Sequence, residues 1–98
     1  MTKKEKLNWI VNYIQVHEHV DIFDEKFVDR YITECSPERI EHKIYGSDYV
    51  PELGRYLAEL YKQGILMRFT VGLHYTHDGY PKWCYCYAMK SSEEKEPL

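Results

Sequence analysis

The chain reads as an α+β fold, three helices followed by a C-terminal β-hairpin, and three observations predict it. Apolar residues recur at helical spacing in three separate segments, centred on Ile10, Tyr31 and Leu57. Directly after Gly64 the period changes from helical to alternating, the mark of strands. Between the two alternating runs stands Asp78-Gly79, a strong hairpin turn signal.

The first helix is predicted over residues 3–17. Thr2-Lys3-Lys4-Glu5 matches a capping box, in which the Thr hydroxyl and the Glu carboxylate each take an orphan backbone N–H. Leu7, Ile10, Val11 and Ile14 give a core stripe, while Trp9, Tyr13 and Val16 cluster on the opposite side. A helix apolar on two faces is buried twice, within a small fold or against a second chain. In a chain this short the second is preferred, which predicts a homodimer packed through Trp9, Tyr13 and Val16.

Val20-Asp21-Ile22 suits a short edge strand, and Asp21 or Asp24 can cap the helix that follows. In DEKFVDRYITEC, Phe27, Val28, Tyr31, Ile32 and Cys35 share one side, and Ser36-Pro37 ends the helix because proline lacks the donor and disfavours helix before it. Residues 36–47 then admit either a short helical turn around Ile40 and Ile44 or an extended segment, with Tyr45-Gly46-Ser47-Asp48 read as a turn. The third helix has Ser47 or Asp48 as cap, Pro51 in its first turn, and Gly64 as its left-handed stop. Leu53, Leu57 and Leu60 face a core, and the far side carries Arg55 and Lys62 with Ala58 and Glu59 between them.

In the hairpin, Ile65, Met67, Phe69, Val71 and Leu73 share one parity and Leu66, Arg68 and Thr70 the other. On the second strand Trp83, Tyr85, Tyr87 and Met89 oppose Cys84, Cys86 and Ala88. His74, His77 and Lys82 lie towards the tip.

Ninety-eight residues suit one domain, placed at 1–90, with SSEEKEPL at 91–98 read as a disordered acidic tail. No apolar run reaches membrane-spanning length and no signal-peptide core follows MTKKEKLNW, so no membrane contact and a cytoplasmic location are expected. Three cysteines form no disulfide framework and read as small buried thiols. The net charge is −3, yet residues 51–90 hold five Lys/Arg against three Asp/Glu, so the third helix and hairpin are the only net basic part. That is a modest charge for a phosphate binder.

The element order helix, strand, helix, helix, hairpin resembles the winged-helix branch of helix-turn-helix proteins. The resemblance covers about residues 3–89 and is carried by PELGRYLAELYKQGILMRFTVGL followed by GYPKWCYCYAM, where Gly64 ends the third helix and Ile65-Leu66 enter the wing. In texture, DEKFVDRYI, ELGRYLAELYKQGIL and GYPKWCYCY are also similar to small uncharacterised phage and prophage proteins, a likeness that brings no activity with it. The winged-helix resemblance implies that the third helix enters the major groove and the wing touches an adjacent groove or the backbone. It assigns Arg55, Tyr56, Glu59 and Lys62 to the groove, with Ser47 and Asp48 at the start of the helix, and Arg68, His74, His77 and Lys82 to the wing. Arg55 is the first choice for a base or phosphate contact, because arginine is the commonest reader of guanine edges. Two features depart from the family pattern. The link between the second and third helices exceeds the usual three or four residues, and Glu52 and Glu59 fall on or near the reading face, where carboxylates repel phosphate.

His74-x-x-His77 with Cys84-x-Cys86 offers four ligand types for zinc, but the spacing matches no known pattern, and no metal or cofactor is assigned. No nucleophile elbow, P-loop, dinucleotide or zinc-protease motif is present, and no enzymatic activity is expected. Trp83, Tyr85 and Tyr87 resemble a stacking platform for single-stranded nucleic acid, yet one side of a two-stranded hairpin must pack on helices, and core packing is the preferred reading. The sequence therefore predicts a homodimeric winged-helix protein that binds duplex DNA and regulates transcription or another DNA transaction. Its rival is a phage-type protein-interaction module on the same scaffold that occupies a host protein without binding DNA, favoured by the acidic N-terminal half.

Overall fold

Local capping fixes the first two helices. In the computed structural model, which describes residues 1–42, 48–73 and 82–90, helix α1 spans Lys3–His17 and helix α2 spans Glu25–Cys35. The Thr2 hydroxyl accepts from the Glu5 N–H at 3.2 Å and the Glu5 carboxylate accepts from the Thr2 N–H at 3.1 Å, which closes the capping box. Asp24 caps α2, its carboxylate accepting from the Phe27 N–H at 3.2 Å, while Asp21 accepts from the Phe23 N–H at 2.7 Å. Asp24→Ala removes one of these acceptors and is expected to cost about 1 kcal/mol of stability, read from urea unfolding.

Strand β1 (His19–Asp21) follows α1 after Glu18, whose φ of 73° turns the chain back along the helix. Beyond α2 come β2 (Glu41–His42) and β3 (Asp48–Tyr49), then helix α3 (Pro51–Lys62) and the strands β4 (Leu66–Gly72) and β5 (Trp83–Met89). Gly64 has φ 78° and turns the chain out of α3, its N–H donating to the Tyr61 carbonyl at 3.0 Å. β1 joins the hairpin, so the sheet order is β1-β5-β4, antiparallel throughout, with Val20 opposite Tyr87 and Arg68 opposite Tyr87 on its other side. The last strand thus lies between the first and the fourth.

Parity then divides the sheet. Val20, Leu66 and Tyr87 share the face that meets the helices and are buried with Ile10 and Ile14 of α1, Phe27 and Tyr31 of α2, and Leu53, Leu57 and Leu60 of α3. On the opposite face, Cys86 stands between Phe69 and Asp21 in register and Cys84 beside Val71. Both thiols are buried, and Phe69 is 43% exposed. The reading of the cysteines as small buried groups accords with this.

Two expectations need correction, and one open alternative is decided. Asp48 does not cap α3: the N-cap is Val50, with no side-chain cap bond, and Asp48 belongs to β3, where its carboxylate meets His42 Nδ1 at 2.6 Å; Ser47, the other expected cap, lies outside the described residues. The stretch between α2 and α3 is extended at Glu41–His42 and pairs with β3, Glu41 opposite Tyr49, while residues 43–47 lie outside the described ones. The second apolar stripe of α1 also has a partner in its own chain. Trp9 stacks on Tyr13 at 5.3 Å and on Phe27 at 6.1 Å, meets Tyr31 edge-on at 5.5 Å, and Tyr13 lies 5.0 Å from Phe27. Of the three residues assigned to a dimer interface, Val16 alone is open, at 76% exposure.

Candidate nucleic-acid interface

Helix α3 turns its leucines inward, and this places Arg55 and Lys62 on the outside, both exposed. Between them Ala58 and Glu59 are half-buried. The Glu59 carboxylate is taken by Lys3 Nζ at 3.0 Å, and the same ammonium lies 5.8 Å from the centre of the Tyr56 ring. The start of α1 therefore reaches the α3 surface. Lys3 joins the candidate face, compensates the charge of Glu59, and covers part of Tyr56, which is half-buried. Sequence reasoning missed Lys3, because nothing local connects it to a helix almost sixty residues away.

Glu52 corrects the sequence reading more sharply. It is 7% exposed and its carboxylate turns into the protein, away from any reading face. Lys6 Nζ of α1 donates to Glu52 Oε1 at 2.8 Å and the Tyr31 hydroxyl of α2 donates to the same oxygen at 2.7 Å. Burial by itself pushes the Glu52 carboxyl up, but the bonds from Lys6 and Tyr31 outweigh it and hold the group below its ordinary range. The bond to Glu52 raises Lys6 above its usual value, and burial raises the Tyr31 phenol. One carboxylate oxygen ties the three helices together. It also removes a negative charge from the vicinity of the α3 surface.

On the hairpin, Arg68 occupies a place the alternation did not foretell. Its guanidinium lies 4.0 Å from the centre of the Tyr61 ring at the end of α3 and 4.0 Å from the centre of the Tyr85 ring of β5. A planar cation held between two aromatic faces is well fixed, and it braces the hairpin against α3. Along the same face Trp83 meets Tyr85 edge-on at 5.1 Å and Tyr85 meets Tyr87 at 6.3 Å. This ladder is graded: Tyr87 is buried, Tyr85 half-buried, and Trp83 52% exposed. Lys82, next to it, is exposed. His77, assigned to the wing, and His74 lie outside the described residues.

The cysteines show no reactive setting. Burial pushes the Cys35 thiol up to about 11 and raises Cys84 and Cys86 as well, so the thiolate is disfavoured at all three. Cys86 Sγ lies 3.6 Å from His19 Nδ1. Among the described residues no three His, Cys, Asp or Glu side chains gather as a metal ion requires. No helix among them is long and apolar enough to cross a membrane.

No protein-family model, no curated protein and no solved structure matches this chain.

Proposed function

We propose that this is a winged-helix protein that binds duplex DNA through α3 and the β4–β5 hairpin, as a small regulator of transcription or of another DNA transaction. The observation that carries the reading is the sheet order β1-β5-β4, with β1 supplied from between α1 and α2. Pinned on one side by β1 and braced on the other by Arg68 between Tyr61 and Tyr85, the hairpin is held beside α3. A helix and a wing in that relation suit a groove and its neighbouring backbone. Arg55 and Lys62 on α3, Lys3 from α1 and Lys82 on the hairpin supply the cations. Arg68, half-buried in its aromatic clamp, serves the hairpin's position more than phosphate contact.

The test is fluorescence anisotropy against a randomised duplex pool. With two to four phosphates neutralised, the logarithm of affinity should fall against the logarithm of salt with a slope of about −2 to −4. Arg55→Ala with Lys62→Ala should abolish retention at low salt and leave thermal unfolding unchanged, since both side chains are exposed. Normal binding by that double variant would reject α3 as the reading helix.

The rival reading, a protein-interaction module on the same scaffold, has its own support in the apolar outer face of the sheet, where Phe69 is 43% exposed beside Met67 and Val71. It differs in outcome: such a protein leaves duplex fragments unretarded even at low salt, and Phe69→Lys would abolish capture of its partner.

A further inference from the structure

Strand β1 ends at Asp21, opposite Cys86, while β5 runs on to Trp83 with β4 as its only strand neighbour among the described residues. A recess of about 330 Å3 opens beyond the end of β1, walled by Phe23, Tyr49, Trp83, Tyr85 and Tyr87 with Cys84 among them. None of these walls is charged. The β5 rings meet at steep angles, 78° between Trp83 and Tyr85 and 63° between Tyr85 and Tyr87, so the ladder presents ring faces in more than one direction.

Two carboxylates are built into the turn that forms one wall. The Asp24 N–H donates to the Asp21 carbonyl at 3.2 Å, closing the turn that carries Ile22 and Phe23, and the Asp21 carboxylate accepts from the Phe23 N–H at 2.7 Å. Asp21 is thereby held to a wall of the recess. Its field reaches further in: burial first, and then the Asp21 carboxylate, raises the Cys84 thiol, and Asp21 with Asp24 adds to the effect of burial on Cys86. Asp21 and Asp24 take backbone donors, the latter from Phe27, and among the described residues neither has a cation as partner. Asp48, next to Tyr49, by contrast meets His42. The cation placed on the ladder is Arg68, 4.0 Å from the centre of the Tyr85 ring. Its single charge does not balance the two carboxylates.

Aromatic faces attract a cation through the negative potential above the ring, and a carboxylate without a cationic partner adds to that attraction. An anion would be repelled here, and a neutral group would gain from the walls alone. A cation gains from walls and carboxylates together. Uncharged aromatic walls further favour a cation that is weakly hydrated, and a bare ammonium is strongly hydrated. Methyl groups on the nitrogen lower that hydration and supply apolar surface to the rings. We propose that this recess binds a methylated ammonium group, seated against Trp83 and Tyr85 with Asp21 as its counter-ion. That chemistry is found in a free quaternary ammonium such as choline and in a methylated lysine side chain of a partner protein. The site is separate from phosphate contact by α3, so it holds whether or not the protein binds duplex DNA.

The test is ligand-observed saturation-transfer NMR on the full chain, titrating choline, the amide of N-acetyl-trimethyl-lysine, and 3,3-dimethyl-1-butanol. The last has the shape of choline with carbon in place of the charged nitrogen. Transfer to the N-methyl protons is expected for both cations, with the neutral isostere bound about tenfold more weakly. Trp83→Ala should weaken choline binding about tenfold. Asp21→Asn keeps an acceptor for the Phe23 N–H and removes the charge, so it should weaken choline about fivefold and leave the isostere unchanged. Urea midpoints confirm that both variants fold, since neither side chain belongs to the buried core. Tighter binding of the lysine derivative identifies a protein side chain as the source of the cation, and tighter binding of choline a free metabolite. Equal binding of choline and its isostere, no transfer to any probe, or choline binding that survives both Trp83→Ala and Asp21→Asn overturns the proposal. Choline binding without duplex retention would leave this site standing and remove the DNA-reading role of α3.

Discussion

Glu52→Leu is expected to destabilise the protein by about 3–5 kcal/mol, measured as a lower urea midpoint at neutral pH. The leucine itself is a good helix residue of suitable bulk. The cost comes from Lys6, 6% exposed, whose ammonium would lose its partner in a nearly closed site, and from the fully buried Tyr31 hydroxyl, which would lose its acceptor. The second half of the expectation separates this cause from general disruption. Lys6→Met combined with Glu52→Leu removes both charges, and the double variant should recover the part of the loss due to Lys6, because a buried ion pair and an apolar pair of similar volume differ little in net stability, while the Tyr31 hydroxyl stays without its acceptor.

The same pair predicts two limits of pH. Glu52 is held below its ordinary value of 4.5, so its contribution is complete above that value and is lost as pH falls through the lower value of the folded protein. Lys6 is raised above 10.5, so its contribution is complete below 10.5 and disappears as pH rises through the higher folded value. Between these limits the pair is intact. In the double variant both pH-dependent losses should be reduced, an outcome visible in urea midpoints taken at acid, neutral and alkaline pH.

Glu52 also shows where reading a sequence stops. A helical wheel built on Leu53, Leu57 and Leu60 ranks positions by one apolar stripe, and on that scale Glu52 falls towards the outside. What buries it is Lys6, 46 positions away in sequence, and Tyr31, 21 positions away, and neither is implied by local pattern. The start of α3 was misread for a related reason. Asp48 has the chemistry of a cap, but a two-residue pairing of β3 with β2 claims it, and that pairing spans a stretch whose own preference was open. By contrast, α1 and α2 were legible, with the α2 cap left between Asp21 and Asp24, because Thr2 with Glu5 and Asp24 with the Phe27 N–H are contacts within one turn. The hairpin faces were legible too, since alternation has a period of two and a slip would expose Leu66 and Tyr87. At the candidate interface the sequence identified Arg55 and Lys62 as outward. It did not show that Lys3 would join them or that Arg68 would be clamped between Tyr61 and Tyr85.

Phe27→Ala is expected to cost about 3–5 kcal/mol, and its consequences reach beyond stability. Phe27 is fully buried, Trp9 stacks on it and Tyr13 packs against it at a tilt, so its ring is the intrachain cover for the second apolar stripe of α1. Truncation would leave a cavity beneath Trp9, lower the urea midpoint, and shift the Trp9 emission to the red as water gains access. It would also uncover the stripe from which a homodimer was expected. In the parent, with Trp9 and Tyr13 engaged by α2 and Val16 alone left open, one small side chain is too little apolar area to hold two copies together. The unfolding midpoint of the parent should therefore not move with protein concentration across the micromolar range, because a chain that folds alone gains nothing from mass action. Phe27→Ala should instead associate, with light scattering rising with concentration as Trp9 and Tyr13 lose their cover. A concentration-dependent midpoint in the parent, abolished by Val16→Glu, would show that a second copy covers α1 in spite of the intrachain stacking.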